Sequence, residues 1–293
     1  MFSVTVFTPT YNRAHLLPQV YECLQKQNCH NFEWLVVDDG SNDNTKEYFQ
    51  SLNQQKSSFP IRYYYKENGG KHSAINYGTR KAQGKLFLIL DSDDTLTYNS
   101  ISIILDYWNQ VKDDFRFCGV CGRIMHSDGK LIGNEFGKEF IDMSYLDCRY
   151  KLGMKGDMIE VVRTDIMREY PFPIYKSEKF CPEALIWNRI GNKYLMRYFN
   201  TAVYYRDYID GGLTDKIVNV RMKSPLGTMA CYQELTKYDI PIAQKMKAGI
   251  NFWRFAFCSN ISIFRKIAMI GYRWTTLLPI GYIMHIKDKI VKS

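Results

Sequence analysis

Four short runs of apolar, β-branched or aromatic residues recur in the first hundred positions: Phe2–Phe7, Trp34–Val37, Ile61–Tyr65 and Leu86–Leu90. Bounded by polar turn-forming clusters, such runs predict strands. Between them the pattern takes a helical period. Leu16, Val20, Cys23, Leu24 and Gln27 mark a first helix, and Thr45 to Leu52 a second with Asp43 or Asn44 as its N-cap. A third runs from about Ser73 to Gln83, and Asn99–Gln110 reads as a fourth. Strands and helices alternating at this length predict βαβ units and a parallel sheet with right-handed crossovers, an α/β fold.

In such sheets ligands sit beyond the carboxyl ends of the strands. The polar clusters fall on that side of every run. Thr8-Pro9-Thr10-Tyr11-Asn12-Arg13 follows the first strand and Asp38-Asp39-Gly40-Ser41 the second. Glu67-Asn68-Gly69-Gly70-Lys71 follows the third and Asp91-Ser92-Asp93-Asp94 the fourth. One of these clusters alone would read as an ordinary turn or cap. Four on one edge point to a site.

The residue types narrow its chemistry. Asp91-x-Asp93 places two hard oxygen ligands at the rim, suited to Mg²⁺ or Mn²⁺ bridging a diphosphate. Asp94 either joins that coordination or caps the following helix. Gly69-Gly70 lets backbone approach a ligand, with Lys71 as a positive partner for phosphate. No G-x-G-x-x-G and no P-loop is present, so neither a dinucleotide nor ATP hydrolysis is indicated. Asp39 can accept a hydrogen bond from a base N–H, and Tyr11 offers a ring for stacking.

Charge locates a second region. The 293 residues carry 39 Lys and Arg against 30 Asp and Glu, a net +9. Residues 216–293 hold 13 of the basic residues against Glu234, Asp239 and Asp288 alone, so the excess lies entirely in the last quarter. A near-neutral body over 1–215 argues against a protein that wraps nucleic acid. Met1–Val6 has no basic n-region, so no signal peptide is expected. The eight cysteines show no framework spacing, and reduced thiols in a cytoplasm are expected. Cys118 and Cys121 lie in a run, Phe115 to Met125, that reads as a strand, where positions three apart face opposite ways; buried, inert thiols are expected.

Taken together, Thr8-Pro9-Thr10-Tyr11-Asn12, Val36-Val37-Asp38-Asp39-Gly40-Ser41 and Asp91-Ser92-Asp93-Asp94 resemble the three motifs of the glycosyltransferase family 2 enzymes. The resemblance covers about residues 1–215. It implies a GT-A fold and inverting transfer of a sugar from a nucleotide diphosphate, most often a UDP-sugar. It also implies that Thr8, Pro9 and Tyr11 line the base pocket, that Asp39 reads the base, and that Asp91 and Asp93 are the D-x-D metal element. Arg13, Lys71 and Ser92 complete the expected nucleotide-sugar set. The family pattern after the glycine loop departs here to Lys71-His72-Ser73-Ala74-Ile75-Asn76.

Inverting transfer needs a general base on the acceptor hydroxyl. The family supplies it as a carboxylate opening a downstream helix, commonly Glu-Asp. Here Pro182-Glu183-Ala184 leaves Glu183 as the expected catalytic base, with Glu178 in reserve. Pro182 and Glu183 also suit an ordinary helix start. Asp210-Gly211-Gly212-Leu213-Thr214 reads as a turn that closes over the donor.

From Lys245 to Arg273 the pattern is helical without proline, with Lys247, Arg254 and Arg265 on one face and Phe252, Ile263, Ile267 and Ile270 on another. This is either a helix packed on the body or one lying in an anionic membrane interface, with Trp253, Tyr272 and Trp274 at headgroup level. The second is the expectation. The longest uncharged run, Trp274 to Ile286, has 13 residues and contains Pro279, too short to span a bilayer. Lys287, Lys289 and Lys292 close the tail. The leading reading is a metal-dependent glycosyltransferase on the inner membrane face, acting on a lipid-linked saccharide or polysaccharide and not on nucleic acid. A nucleotide-sugar-binding or scaffold protein without turnover is the alternative. A nucleotidyltransferase would want a glycine-rich loop after the first strand, and Thr8–Arg13 has no glycine.

Overall fold

The computed structural model describes residues 2–52, 54, 56–207 and 216–290. Its first half is the expected alternation. Strands β1 (Val4–Thr10), β2 (Phe32–Asp38), β3 (Ile61–Tyr65) and β4 (Leu86–Ile89) are separated by helices α1 (Leu17–Gln25), α2 (Thr45–Leu52) and α3 (Lys71–Lys81). All seven residues of β1 and of β2 are buried, the signature of strands covered on both faces. A two-residue β5 (Thr95–Leu96) and α4 (Ser100–Asn109) follow, then β6 (Phe117–Met125), β7 (Phe140–Ser144) and β8 (Met158–Arg163). Helices α5 (Thr164–Glu169) and α6 (Ala184–Gly191) precede β9 (Leu195–Tyr205).

The strands form one nine-stranded sheet in the order β3-β2-β1-β4-β8-β6-β9-β5, with β7 beside β9. Strands β3, β2, β1 and β4 are parallel, so their four polar loops share one edge. The rest of the sheet is mixed: β8 runs antiparallel to β4 and β6, while β6 and β9 are parallel. Because β8 is reversed, its first residues reach the same edge as the ends of β4, β6 and β9.

One core packs α1, α2 and α4 on a face through Val20, Phe49 and Ile104. The other packs α3, α5 and α6 through Ile75, Ile166 and Leu185. Cys118 and Cys121 both belong to this second core, which corrects the expectation that they face opposite ways. A register shift between Phe117 and Gly119 breaks the alternation of β6 between its first residues and Val120. The expected inertness has a physical basis: burial pushes the Cys118 thiol up to about 12 and raises the Cys121 thiol well above its ordinary value.

The last quarter is helical: α7 (Ile217–Lys223), α8 (Pro225–Leu235), α9 (Ile242–Ala256), α10 (Ile263–Ile270), α11 (Tyr272–Thr275) and α12 (Leu278–Ile290). The single helix expected across Lys245–Arg273 is broken. Ser262 caps α10 by accepting the Arg265 N–H, and Gly271, at φ +86°, ends it. Trp253 is corrected as well: it is fully buried, its indole donating to the Trp274 carbonyl at 2.9 Å, and so is not at a headgroup level. Arg254 leaves the expected basic face to form a two-pronged ion pair with Asp288, at 2.6 and 2.7 Å.

Helix α8 is the seam between the regions. Its Ala230 and Cys231 join the second core, Met229 joins the tail's own cluster, and Glu234 pairs with Arg189 of α6 at 2.6 Å. A division at residue 215 therefore cuts through shared packing.

Candidate active site

The loop after β1 is latched to the loop after β2. Asn12 stands at φ +52°, a left-handed conformation that asparagine tolerates better than most side chains. Its N–H donates to Ser41 Oγ and its Oδ1 accepts the Asn42 N–H, both at 2.8 Å. Asp38 is spent on this scaffold, accepting the Ser41 N–H and the Tyr63 hydroxyl.

Asp39 does more. Its carboxylate accepts the Gly69 N–H at 3.0 Å and the Gly70 N–H at 2.7 Å, with Lys66 Nζ at 2.6 Å. Thus the glycine loop is built on the second aspartate of the Asp-Asp-Gly-Ser cluster. Gly70 has φ +89°, and a Cβ there would stand 1.9 Å from the Lys179 carbonyl oxygen, so no side chain fits. Of the expected base pocket, Tyr11 is exposed at 47%, whereas Thr8 and Pro9 are buried within β1. Thr8 turns inward, its hydroxyl accepting the Trp34 indole N–H at 3.0 Å, so it offers a base only its backbone.

The aspartates after β4 converge with residues from far along the chain. Lys71, at the first turn of α3, places Nζ 2.6 Å from Asp91 Oδ1 and 2.8 Å from Glu183 Oε1. One ammonium thus joins the candidate metal ligand to the candidate base. Arg13 pairs with Asp93 at 2.8 Å and donates to Ser92 Oγ at 3.3 Å. Glu183 occupies the N-cap position of α6 yet makes no capping hydrogen bond, which leaves its carboxylate facing the site. Glu178, the reserve candidate, is spent elsewhere. It accepts the N–H groups of Leu226 and Gly227 at 2.6 and 2.9 Å and so caps α8.

Arg206, one residue past β9, was not among the expected site residues and is central. Its guanidinium reaches Asp91 at 3.0 Å, Asp94 at 2.7 Å and Asp157 at 3.0 Å. The signal for it is the same one that found the other loops, a polar residue just past a strand of the sheet. Asp94 neither caps α4 nor joins Asp91 at the rim: it is buried and bound by the Tyr204 hydroxyl at 2.7 Å and by Arg206. Burial pushes its carboxyl up to about 6, against the pull of Arg206. Burial would also raise Asp91, but Lys71 and Arg206 outweigh it and hold the group below the usual carboxylate range. Asp91 and Glu183 together raise Lys71 above its ordinary value despite burial.

Among the described residues no group of three His, Cys, Asp or Glu side chains could hold a metal by itself. Asp91 and Asp93 together still fit Mg²⁺ or Mn²⁺, which commonly take one or two carboxylates and complete their shell with substrate phosphates. Both carboxylates now carry cationic partners, so the charge that a metal would supply is held in place by Lys71, Arg206 and Arg13. Behind them lies a cavity of about 280 Å³, lined by Lys71, Asp91, Glu183 and Arg206 on its charged side. The expected closing turn, Asp210–Thr214, lies outside the described residues.

The chain is similar to known proteins. Residues 5–209 match the family described as Glycosyl transferase family 2. A glucosyltransferase of Campylobacter jejuni, named for a GalNAc(5)-diNAcBac-PP-undecaprenol acceptor, is 28% identical over 192 residues, 64% of this chain and 59% of that one. An uncharacterized glycosyltransferase of Mycoplasma genitalium is 34% identical over 115 residues, 38% of this chain and 39% of the relative. One from Rickettsia bellii is 32% identical over 129 residues, 44% of this chain and only 18% of the relative. This chain thus spans less than two thirds of these relatives' lengths. Among solved structures, S. aureus TarS 1–349 in complex with UDP-GlcNAc gives a TM-score of 0.67 at 17% identity, covering 98% of this chain and 89% of that one. The mannosyltransferase PcManGT from Pyrobaculum calidifontis, in complex with GDP-Man and Mn²⁺, gives 0.59 at 15% identity over 98% and 88%. At these identities the structures establish a GT-A-like fold, and with the match over residues 5–209 the chain belongs to glycosyltransferase family 2.

Proposed function

We propose that this chain is a metal-dependent inverting glycosyltransferase. It moves a sugar from a nucleotide diphosphate, a UDP-sugar in the first instance, to a hydroxyl of a lipid-linked saccharide or polysaccharide. One observation carries the reading: Lys71 holds Asp91 and Glu183 within 2.6 and 2.8 Å of a single nitrogen, so the donor end and the base end are one centre.

In this mechanism Glu183 takes the proton of the acceptor hydroxyl as that oxygen attacks the anomeric carbon. The new C–O bond forms on the face opposite the diphosphate, whose bond to the carbon breaks and takes the electron pair. Asp91 and Asp93 would hold Mn²⁺ or Mg²⁺, which supplies Lewis-acid neutralisation of the leaving diphosphate. Lys71 and Arg13 add positive charge beside the same oxygens, and Arg206 keeps Asp91 ionised and in place. Tyr11 presents a ring to the base. Asp39 fixes the amides of Gly69 and Gly70, and its Oδ2, which accepts only the Gly70 N–H, has capacity left for a base N–H.

The tail supports a peripheral place on the inner face of the cell membrane. No helix among the described residues is long and apolar enough to cross a membrane. Instead Phe264, Tyr272, Ile280 and Ile283 stand exposed in α10 to α12, among Arg265, Arg273, Lys287 and Lys289. Apolar groups interleaved with cations fit an anionic bilayer surface. The undecaprenol-linked acceptor in the Campylobacter jejuni relative's name agrees with such an address.

The test is a thermal-shift panel of UDP, GDP and their sugars with and without Mn²⁺. Stabilisation by uridine nucleotides that requires Mn²⁺ and is lost in Asp91→Asn is the expected result. Guanosine-only stabilisation would remove the uridine assignment, and metal-independent binding would remove the D-x-D role.

A further inference from the structure

The transfer chemistry uses one side of the cavity and leaves the other unexplained. Lys71 and Glu183 are each 36% exposed as side chains, and Asp91 and Arg206 are 21% and 24% exposed, so these four form the mouth. Glu160, Arg149, Tyr145 and Trp187 line the remainder and are buried more deeply, with Glu160 at 9%. Glu160 belongs to β8, whose reversed direction brings it under the sheet edge.

This inner pair is not closed on itself. Arg149 NH2 stands 3.6 Å from Glu160 Oε1, beyond a hydrogen bond. Arg149 donates through NH1 to the Gly156 carbonyl at 2.6 Å, while its Nε is buried without a partner. A buried guanidinium N–H without a partner, beside a carboxylate that faces the cavity, is costly unless something else engages it. The surroundings say what: Trp187 and Tyr145 offer aromatic surface, and Ile124, Met158 and Ile159 an apolar floor. Adjacent hydroxyls on a ring match this set, donating to the carboxylate and accepting from the guanidinium while the ring's carbons lie on the aromatic and apolar walls. A cavity of about 280 Å³ falls just below the size of drug-sized ligand pockets, so it suits one ring and not an oligosaccharide.

Two sugars take part in the reaction. A ring that enters past Asp91 and Arg206 hangs from the diphosphate held there and needs one exit. An acceptor ring must offer its hydroxyl at Glu183 and also lead its lipid or polymer away. We propose that Glu160, with Arg149 beside it, selects the donor's sugar by binding two hydroxyls of the pyranose ring that this cavity takes. The proposal rests on the glycosyl-transfer reading.

The experiment is calorimetric titration of the full chain, wild type and Glu160→Gln, with UDP, UDP-glucose, UDP-galactose and UDP-GlcNAc in Mn²⁺, alongside the donor hydrolysis rates. UDP affinity should be unchanged in the variant, which also reports that it is folded. At a pH of about 8.5, where the Glu160 carboxyl is ionised, the affinity of the preferred UDP-sugar relative to UDP should fall about tenfold or more, as expected for loss of a charged hydrogen-bond acceptor, and the ranking among sugars should flatten. Glu160→Asp should recover part of the ranking. Unchanged ratios with unchanged UDP binding overturn the subsite while leaving the transferase intact. A defect confined to transfer, with donor binding and hydrolysis spared, would seat the acceptor there and overturn the assigned occupant. A wild type that binds no uridine nucleotide would remove the glycosyl-transfer reading itself, and this inference with it.

Discussion

Glu160→Gln should alter the stability of the unliganded protein in a pH-dependent way whose size follows from the site. Burial, reinforced by Glu183 and Asp157 and only partly offset by Arg149, pushes the Glu160 carboxyl from 4.5 up to about 7. At about 1.4 kcal/mol for each tenfold change in the proton equilibrium, that difference is worth about 3 kcal/mol. The sign follows from the direction. The folded chain binds this proton more tightly than the unfolded chain does. Stability from the group is therefore complete below pH 4.5 and is lost as pH rises through 7. Glutamine cannot ionise and loses nothing over that range. Arg149 stays charged throughout, so leaving it without a counter-ion shifts the variant's stability by a constant. In urea titrations from pH 4.5 to 8.5, the variant should gain about 3 kcal/mol on the wild type, most of it between pH 5 and 7.5. Against total stabilities of about 5–15 kcal/mol this is readily measured. A difference that stays flat across the range would refute the burial argument.

Other parts of the site predict equally direct outcomes. Gly70→Ala puts a Cβ 1.9 Å from the Lys179 carbonyl oxygen at a φ of +89°, so thermal unfolding should shift down and stabilisation by UDP with Mn²⁺ should disappear. Glu178→Ala strips the acceptor from two amides of α8 and should cost about 2–4 kcal/mol in urea unfolding; Glu178→Gln should keep turnover, because this carboxylate caps a helix and does no proton transfer. Replacing Phe264 and Tyr272, 81% and 86% exposed, by serine and Arg265 and Arg273 by glutamate should abolish flotation with anionic liposomes while donor hydrolysis in solution continues.

How far the sequence alone reaches depends on which half of the sheet is considered. The parallel half is readable because its central strands are buried on both faces and its helices separate them at regular spacing; Thr45–Leu52 and the four loops stand where the pattern puts them. The mixed half hides its contribution. Asp157 precedes and Glu160 lies in a reversed strand, and Arg206 follows a long strand whose polar residues, Arg197 and Asn200, break any clean alternation. Arg206 stands just past its strand as the other loop residues do, but no motif marks Asp157 or Glu160, and all three acquire meaning only from the partners the fold sets beside them. Asp39 shows another limit: a carboxylate suited to a base N–H also suits backbone amides, and only the fold reveals that it holds those of Gly69 and Gly70. In the tail, helical spacing of apolar residues did not reveal that Phe252 and Trp253 pack inward on a separate cluster. Periodicity cannot distinguish a face turned to lipid from one turned to a neighbouring helix.

The central claim is that Glu183 and Asp91, joined by Lys71, form one transfer centre. The most direct measurement is UDP release from a panel of UDP-sugars with Mn²⁺, wild type beside Glu183→Gln, with UDP affinity measured on both by calorimetry. The account predicts turnover by the wild type and a loss of about a hundredfold or more in the variant at unchanged UDP affinity, the size of effect expected for a general base. Equal rates from the two proteins would contradict it.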